Sequence, residues 1–338
     1  MSWPARLLLV LLTASFPGCD AQPVERSQGG LRSSNGMHLN GMHLNGMHLN
    51  GMHLNGMHLN GMHLNGTQLS GVRLEGTTLL AVREDGSTLS GAQLVGSELS
   101  GVLSDGSTLP LRIDAVGFAP APNDDLYAYQ VSYASPDGSG WQPLCGVDEA
   151  GAPVAAFPLS GLWDEREGVP GGGSHTSDPD WFTFACRGAA IAKCVEWGYR
   201  PWERVLGCKG GNCAAVSLEP YHQACTRMVR ADYCGDGEPW TVDGRAINIF
   251  DGLGIQTDTE SWTFEAEWGP GGARCLTRDR VLQLEVELEP LGIKVLPDCI
   301  LARVDATCGD RSHFDSGSLL MNEFQTQYVG LSIRLLSH

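Results

Sequence analysis

The sequence predicts a mainly β, α+β fold, in which an N-terminal repeat tract, built as a β-helix or a stalk, precedes a disulfide-rich α+β domain. Three observations support this prediction. A five-residue period runs from residue 36 to residue 110, short apolar segments separated by turn residues follow it, and ten of the eleven cysteines lie beyond residue 140. Stacked repeats and short alternating segments are both typical of β structure. An even number of cysteines beyond the repeats indicates a cross-linked exported domain.

The N-terminus predicts export and lipid anchoring. Residues 1–18 have the features of a signal peptide, because a short start containing Arg6 leads into an apolar run, residues 7–12, that is too brief to span a bilayer. The small residue before Cys19 resembles the lipobox of bacterial lipoproteins, in which that cysteine is acylated; ordinary cleavage nearby is the alternative. Residues 19–35 are polar and predict a flexible tether. We therefore expect a protein of the cell envelope, periplasmic or surface-exposed, whose contact with the membrane is the lipid at Cys19.

Residues 36–110 form the repeat tract. The sequence Gly-Met-His-Leu-Asn recurs six times without change as far as residue 65, and degenerate copies continue to Pro110 with leucine at the fourth place almost throughout. Two copies without leucine at the fourth place lie twenty residues apart, and each ends at an Asp-Gly step, Asp85-Gly86 or Asp105-Gly106. The tract resembles the pentapeptide-repeat family, in which four repeats form one square coil of a right-handed β-helix. That resemblance implies stacked coils with the leucines inside. A tethering stalk or an array of hairpins is the alternative.

The histidines of the identical copies suggest a metal hypothesis. In a square coil His38 would lie over His58, and His43 over His63, about 4.8 Å apart, which is close enough to share a soft divalent ion. The alternative is a polar surface position that was copied along with its repeat. The sequence therefore defines no firm metal site, and it contains no motif that implies a cofactor.

The cysteines beyond the tract predict up to five disulfides. An even number in an exported chain indicates a disulfide framework, and no two of these cysteines have the C-x-x-C spacing of structural zinc sites. Their spacing leaves the connectivity open. The ten are Cys145, Cys186, Cys194, Cys208, Cys213, Cys225, Cys234, Cys275, Cys299 and Cys308.

Residues 111–338 are expected to form the cysteine-rich α+β domain. Its apolar segments contain β-branched and aromatic residues and are separated by Pro, Asn, Asp and Gly, as strands are. A second kind of segment has helical character, with Pro220 near the start of the better candidate. The predicted strands cover residues 111–118, 126–134, 152–162, 182–186 and 246–250, and the predicted helices cover residues 189–197 and 221–232.

The segment 221–237 contains the most distinctive motif of the chain, Ala231-Asp232-Tyr233-Cys234. It resembles the signature of the bacterial ADYC-domain family, which is named for these four residues, and the resemblance extends over roughly residues 108–320. The family has no established function, so the resemblance implies relatives rather than chemistry. We expect Cys225 and Cys234 to lie at the middle and the end of one helix and to pin it to the sheet.

The same segment holds the candidate ligand-binding residues His222, Arg227, Arg230 and Asp232. On a helix, His222 and Cys225 share a face, and a free cysteine beside a histidine could act as a nucleophile; a disulfide at Cys225 is the alternative. An arginine–aspartate pair could be structural or could bind a ligand. The sequence does not distinguish these two roles.

Charge and missing motifs restrict the function. The net charge of −17 gives no basic surface that could neutralise phosphates, so nucleic acid is not an expected partner. Neither the H-E-x-x-H signature nor the G-x-S-x-G signature occurs in the sequence. The sequence favours a non-catalytic, lipid-anchored protein that presents a binding or structural domain to an envelope protein or cell-wall partner. The alternatives are an extracytoplasmic hydrolase using His222, Asp232 and His175, and metal capture by the histidine tract.

Overall fold

The computed structural model describes residues 33–34, 54–58, 62–64, 67–103, 105–241, 244–277 and 297–325. The expected signal peptide, the lipidation site Cys19, most of the tether, His38 and His43 lie outside these residues. No helix in the described part of the chain combines the length and the apolar character needed to cross a bilayer.

Strands are the commonest regular element among the described residues, and the predicted mainly β, α+β class is confirmed. The strands are β1 Ser33–Ser34, β2 Leu54–His58, β3 His63–Leu64, β4 Thr67–Gln68, β5 Ser70–Glu75, β6 Thr78–Val82, β7 Thr88–Leu89, β8 Ser97–Leu103, β9 Thr108–Phe118, β10 Tyr127–Ala134, β11 Trp141–Pro143, β12 Ala156–Ser160, β13 Leu162–Trp163, β14 His175–Thr176, β15 Trp181–Cys186, β16 Arg204–Lys209, β17 Asn212–Ser217, β18 Ala246–Asp251, β19 Thr263–Gly269, β20 Gly272–Leu276 and β21 Leu320–Phe324. The α-helices are α1 Ala190–Glu196, α2 Glu219–Arg230 and α3 Asp298–Leu301, and 3-10 helices span Gly91–Leu94 and Arg311–Ser316.

The largest sheet closes on itself. β10 pairs with β9 and β12, β12 with β15, β15 with β2, β2 with β8, and β8 with β9, all antiparallel. Six strands therefore form a closed ring, and β11, β3 and β4 extend it at its rim. A closed ring leaves no unpaired edge along its circumference, which removes the tendency of edge strands to associate with other chains.

Side chains at alternate positions of the strands point into the ring and fill it. Tyr129, Val131 and Tyr133 of β10 belong to one core with Phe182 and Phe184 of β15, to which the other ring strands also contribute. The intervening residues of β12 and β15 face outward and pack on α1. This two-residue alternation is the pattern of a strand that is buried on both faces by different partners.

A second sheet, in the order β1, β18, β21, β19 and β20, packs against α2. Ile249 of β18 and Trp268 of β19 share a core with Met228 and Val229 of α2. Helix α2 therefore connects this sheet with α1, which in turn covers the ring.

The described part of the repeat tract is antiparallel. The pairs β2–β8, β3–β4, β3–β8, β5–β6 and β6–β7 all run in opposite directions. Stacked coils of a β-helix would pair in parallel, so the described residues correspond to the alternative, a hairpin array, and not to the stacked coils that the family resemblance implied. His58 lies on β2 opposite Trp181, and His63 lies on β3 opposite Gln68 and Glu98. The backbone therefore does not stack these positions one coil apart.

The two Asp-Gly exceptions explain why the tract folds back. The backbone N–H of Ser87 donates to Asp85 Oδ1, and that of Ser107 donates to Asp105 Oδ1, each at 2.9 Å. Gly86 and Gly106 both have a φ of +82°, which glycine adopts without steric cost. The twenty-residue superperiod is thus a pair of matching turns, one between β6 and β7 and one between β8 and β9.

The described backbone does not divide at the expected boundaries. β9 runs across residue 110, and β8 from the repeat tract pairs along its length. Ser33 and Ser34, expected in the flexible tether, pair with Ile247 and Ala246 of β18. Backbone hydrogen bonds to exposed sheet edges form with little regard to side chain, so polar composition gave no sign of this strand.

Five disulfides join the ten cysteines, which confirms the predicted framework. Multiple disulfides indicate that the chain folds in an oxidising compartment outside the cytoplasm. The pairs are Cys145–Cys186, Cys194–Cys225, Cys208–Cys213, Cys234–Cys299 and Cys275–Cys308.

Candidate functional site

The motif begins where helix α2 ends. Pro220 lies in the first turn, where its missing N–H has no helical partner to lose, and Ala231 ends the helix with a φ of +54°. For a residue with a Cβ this left-handed conformation costs about 1–2 kcal/mol. The backbone N–H of Asp232 then donates to the carbonyl of Arg227 at 2.8 Å. The chain therefore turns sharply, so that Asp232 points back toward the helix.

The carboxylate of Asp232 is completely buried and accepts four hydrogen bonds. Oδ1 accepts from the backbone N–H groups of Gly235, at 2.8 Å, and Asp236, at 3.1 Å. Oδ2 accepts from the N–H of Gly237 at 2.9 Å and from the guanidinium of Arg227. A buried charge is tolerated only where it is paired and hydrogen-bonded, and this carboxylate meets both conditions.

Arg227 connects four segments. Its guanidinium, 2% exposed, donates to the carbonyl of Gly172 at 2.6 Å, the hydroxyl of Ser174 at 2.8 Å and the carbonyl of Pro270 at 3.2 Å, besides Asp232. These bonds tie the loop of residues 164–174 and the turn before β20 to the C-terminal end of α2. The predicted arginine–aspartate pair is therefore confirmed, and its surroundings are those of a structural pair.

Glycines allow the segments around this pair to touch. A Cβ on Gly172 would lie 2.2 Å from the carbonyl oxygen of Asp236, and one on Gly235 would lie 2.1 Å from that of Gly271. Both distances are far inside van der Waals contact. Backbone therefore packs directly on backbone around Asp232, which leaves no room for a ligand between these segments.

Tyr233 and Cys234 attach the motif to the second sheet and to α3. The hydroxyl of Tyr233 donates to Glu265 Oε1 at 2.8 Å, and its ring stacks on Trp268 with 5.4 Å between centroids. Cys234 bonds to Cys299 of α3. The expected position of Cys234 at the end of the helix was wrong: α2 ends at Arg230, because the motif itself makes the turn. Cys225 joins α2 to α1 rather than to a sheet.

His222 and Cys225 cannot act as the hypothesised nucleophile pair, since Cys225 is oxidised. His222 is 1% exposed, and its Nε2 donates to the carbonyl of Ile191 at 3.1 Å. Burial lowers the pKa of His222 to about 3, with a smaller contribution from His175. A group with that pKa is neutral at physiological pH and is a poor proton acceptor there.

His175 and His222 lie on two sides of Trp163. The ring of His175 lies tilted against Trp163 with 4.3 Å between centroids, and that of His222 meets Trp163 edge-on at 5.9 Å. His175 Nε2 donates to the carbonyl of Ser160 at 3.0 Å. Asp232 is bound to Arg227 instead. The three residues of the hydrolase hypothesis are therefore each engaged in contacts that hold the fold, and Asp232 pairs with neither histidine.

Arg230 pairs with Glu167 rather than with Asp232, at 2.7 Å. Burial lowers the pKa of Arg230, against the opposing effect of the nearby carboxylates. Glu165 lies beside it, and burial raises the pKa of Glu165 to about 7. Although the residue as a whole is partly exposed, its Oε1 is buried and accepts no hydrogen bond from the described residues. An unpaired buried carboxyl is most stable when protonated.

Several residues of this region were not among the candidates that the sequence suggested. Glu165 and Glu167 lie in a stretch that resembles an ordinary loop, and Glu265 and Glu267 lie on β19, for which no strand was predicted. The alternation of Glu with Ala and Trp in residues 265–268 was the available signal, because it places both carboxylates on one face of a strand.

Two family models match the sequence. The ADYC domain model covers residues 91–282, and the pentapeptide-repeat model matches eight copies in residues 38–79. The chain belongs to the ADYC domain family. The ADYC match begins at Gly91, so it includes β8, which had been assigned to the repeats and which the structure places in the ring. No curated protein and no solved structure matches the chain. In this ADYC domain the four motif residues respectively end α2, bind Arg227, contact β19 and bond to α3.

Proposed function

We propose that this ADYC-domain protein is a non-catalytic protein of the cell envelope, lipid-anchored at Cys19, which presents a disulfide-stabilised domain to an envelope protein or a cell-wall partner. The observation that carries the proposal is the use of the motif's polar groups. Asp232, Arg227 and His222 are buried, and each is engaged in hydrogen bonds within the domain. The signal-like N-terminus and the five disulfides are consistent with export.

Lipid anchoring is tested by labelling. Cells expressing the full chain are grown with labelled palmitate, and we expect the label on the wild-type protein and in the membrane fraction. The Cys19→Ala variant should lose the label and leave that fraction. Cys208→Ser with Cys213→Ser is the matched control, because it removes two other cysteines and should retain the label. An unlabelled wild-type protein would reject the anchor.

The non-catalytic role is tested against the hydrolase alternative. The purified oxidised chain is incubated with peptidoglycan and with model esters, and we expect no turnover above a heat-denatured sample. If turnover occurs, the His175→Gln variant tests whether this histidine causes it. His175 is chosen because it is less buried than His222, so its substitution disturbs less packing. Loss of turnover in a folded His175→Gln protein would establish the hydrolase reading and refute our proposal.

Partner binding is tested by thermal unfolding with cell-wall glycans, and by cross-linking in cells. A ligand present at a hundred times its dissociation constant stabilises the native state by about 2.7 kcal/mol. A reproducible rise in the midpoint with glycans would identify the cell wall as the partner. Cross-links to a protein would identify an envelope partner. An unchanged midpoint together with no cross-link would refute the binding role.

A further inference from the structure

A second group of polar side chains lies at β19 and β20 of the second sheet. Glu267 of β19 and Cys275 of β20 are cross-strand partners. His313 comes from the 3-10 helix Arg311–Ser316. One donor atom from each of these three residues lies within 4.8 Å of the other two. Cys308, bonded to Cys275, adds a second sulfur at the same place.

The carboxylate of Glu267 is held in a fixed orientation. Its Oε1 accepts from the N–H of Gly309 at 2.8 Å and from His313 Nδ1 at 2.6 Å, and its Oε2 accepts from the hydroxyl of Ser318. Hydrogen bonds of this kind orient ligand side chains in metal sites. The side chain of Glu267 is buried, whereas that of His313 is 31% exposed, so an ion can approach from the side of the imidazole.

The segment that carries Cys308 does not depend on the disulfide alone. The N–H of Leu276 donates to Arg303 O at 2.9 Å, and that of Asp305 donates to Leu276 O at 3.0 Å. Arg303 Nε donates to the carbonyl of Ala273 at 2.6 Å. These bonds hold the segment beside β20, so the two sulfurs would remain close to Glu267 and His313 if the bond between them were reduced.

We propose that Cys275, Cys308, His313 and Glu267 form a redox-gated site for a divalent metal ion of the zinc class, closed while the disulfide is intact and open when it is reduced. Two thiolates, one imidazole and one carboxylate are donors that zinc binds in a tetrahedral arrangement. In the oxidised chain neither sulfur carries the charge that a metal ligand needs.

The reaction balances with a dithiol reductant. The Cys275–Cys308 bond breaks and takes up two electrons and two protons, and the reductant becomes a disulfide. Metal binding then releases the two thiol protons, because thiolates are the ligands. Exchange with a disulfide oxidant, which takes the two electrons and leaves as two thiolates, would re-form the Cys275–Cys308 bond and expel the ion.

The experiment uses Cys308→Ser in the full chain, which leaves the Cys275 thiol beside His313 and Glu267 and keeps the other four disulfides. Co²⁺ serves as the probe, because cobalt bound to thiolate absorbs in the near ultraviolet and tetrahedral cobalt absorbs in the visible. We expect one equivalent to bind to Cys308→Ser with thiolate–cobalt bands, and no such bands in the oxidised wild-type chain, where cobalt on the histidine repeats would have no thiolate ligand. Adding His313→Ala should weaken binding by tenfold or more, as does removal of groups that support a metal.

The matched control is Cys213→Ser, which leaves an exposed Cys208 thiol. In the described part of the chain, no cluster of His, Asp, Glu or Cys side chains surrounds that thiol, so this variant should show no tight cobalt binding. Equal binding by both variants, or binding unaffected by His313→Ala, would overturn the proposal. If circular dichroism shows that Cys308→Ser does not fold, the wild-type chain reduced with a phosphine is used. Absence of the cobalt bands in that folded, reduced chain would also overturn the proposal.

Discussion

Replacing Asp232 by asparagine should remove much of the stability of the domain. The substitution keeps the shape of the side chain but exchanges Oδ2 for an amide. The N–H of Gly237 and the guanidinium of Arg227 then face another donor, while Oδ1 still accepts from Gly235 and Asp236. The charge of Arg227 is left without its counterion in a buried position.

Two estimates of the cost agree. Each buried donor left unsatisfied costs about 1–3 kcal/mol, and breaking a buried ion pair by removing one partner costs about 3–5 kcal/mol. Arg227 still donates to three neutral acceptors in the variant, so we expect the loss of stability to stay within about 3–5 kcal/mol, the range for a broken buried ion pair. For a domain of this size each kcal/mol lowers the melting temperature by about 2–4 °C, so the midpoint should fall by about 6–20 °C.

The assays are thermal unfolding, which gives the melting temperature, and urea denaturation, which gives the free energy of unfolding; both use the oxidised chain and are followed by tryptophan fluorescence. Asp236→Asn is the matched control: Asp236 accepts from the N–H of Glu238 through Oδ1, which asparagine also provides, so the expected change is within about 0.5 kcal/mol. A double-mutant cycle with Arg227→Met measures the coupling of the pair. If Asp232→Asn were no more destabilising than the control, the motif aspartate would not hold the fold, and a ligand-binding role would have to be reconsidered.

Four further predictions follow from the described contacts. Because burial lowers the pKa of His222 from 6.5 to about 3, the unfolded chain binds a proton there that the folded chain does not, and stability should fall as the pH drops from about 6.5 toward 3. His222→Gln should flatten this part of the urea-midpoint profile, His175→Gln should not, and parallel profiles would contradict the assignment. Burial raises the pKa of Glu165 from 4.5 to about 7, so the folded chain keeps a proton that the unfolded chain releases, and stability is lost as the pH rises through that window. Glu165→Gln should therefore stabilise the chain by at most about 3 kcal/mol at pH 8 and leave it unchanged near pH 4; an equal effect at both values would be inconsistent with titration. Gly235→Ala places a Cβ 2.1 Å from the carbonyl of Gly271, whereas Gly171→Ala, also at positive φ, meets nothing within 4 Å. The first should cost at least about 2 kcal/mol more in urea unfolding, and equal costs would mean that the backbone contact is relieved without loss. Loop entropy predicts that removing the Cys234–Cys299 disulfide, which closes a loop of 65 residues, costs about 4 kcal/mol of stability. Removing Cys208–Cys213, which closes a loop of 5 residues, should cost about 2 kcal/mol. The reverse order would show that strain or denatured-state structure dominates.

Local signals in the sequence predicted many of the elements. The predicted strands at residues 182–186 and 246–250 are β15 and β18, and the predicted helix at residues 189–197 is α1, because alternation and spacing of apolar residues are properties of the segment itself. The even cysteine count predicted five bonds. The pairing was not predictable, since it depends on which segments meet in space.

The repeat tract was harder to predict, because the same five-residue period suits stacked coils and hairpins. In both arrangements, a leucine at every fifth place is buried on one side of the chain. What decides between them in the described residues is the pair of turns at Asp85 and Asp105, which reverse the chain. Those two Asp-Gly steps were visible in the sequence as exceptions to the leucine rule. The sequence did not show that they reverse the direction of the chain.

The candidate site shows how a distinctive motif can reflect structure instead of chemistry. Polar residues in an unusual order suggest catalysis or binding, yet a carboxylate with four internal donors cannot bind a ligand unless those bonds break. At Asp232 that would leave Arg227 uncompensated and release the loop of residues 164–174. A binding surface in this domain therefore has to be sought among side chains that solvent reaches. The β16–β17 hairpin is one such surface, where Leu206 is 65% exposed.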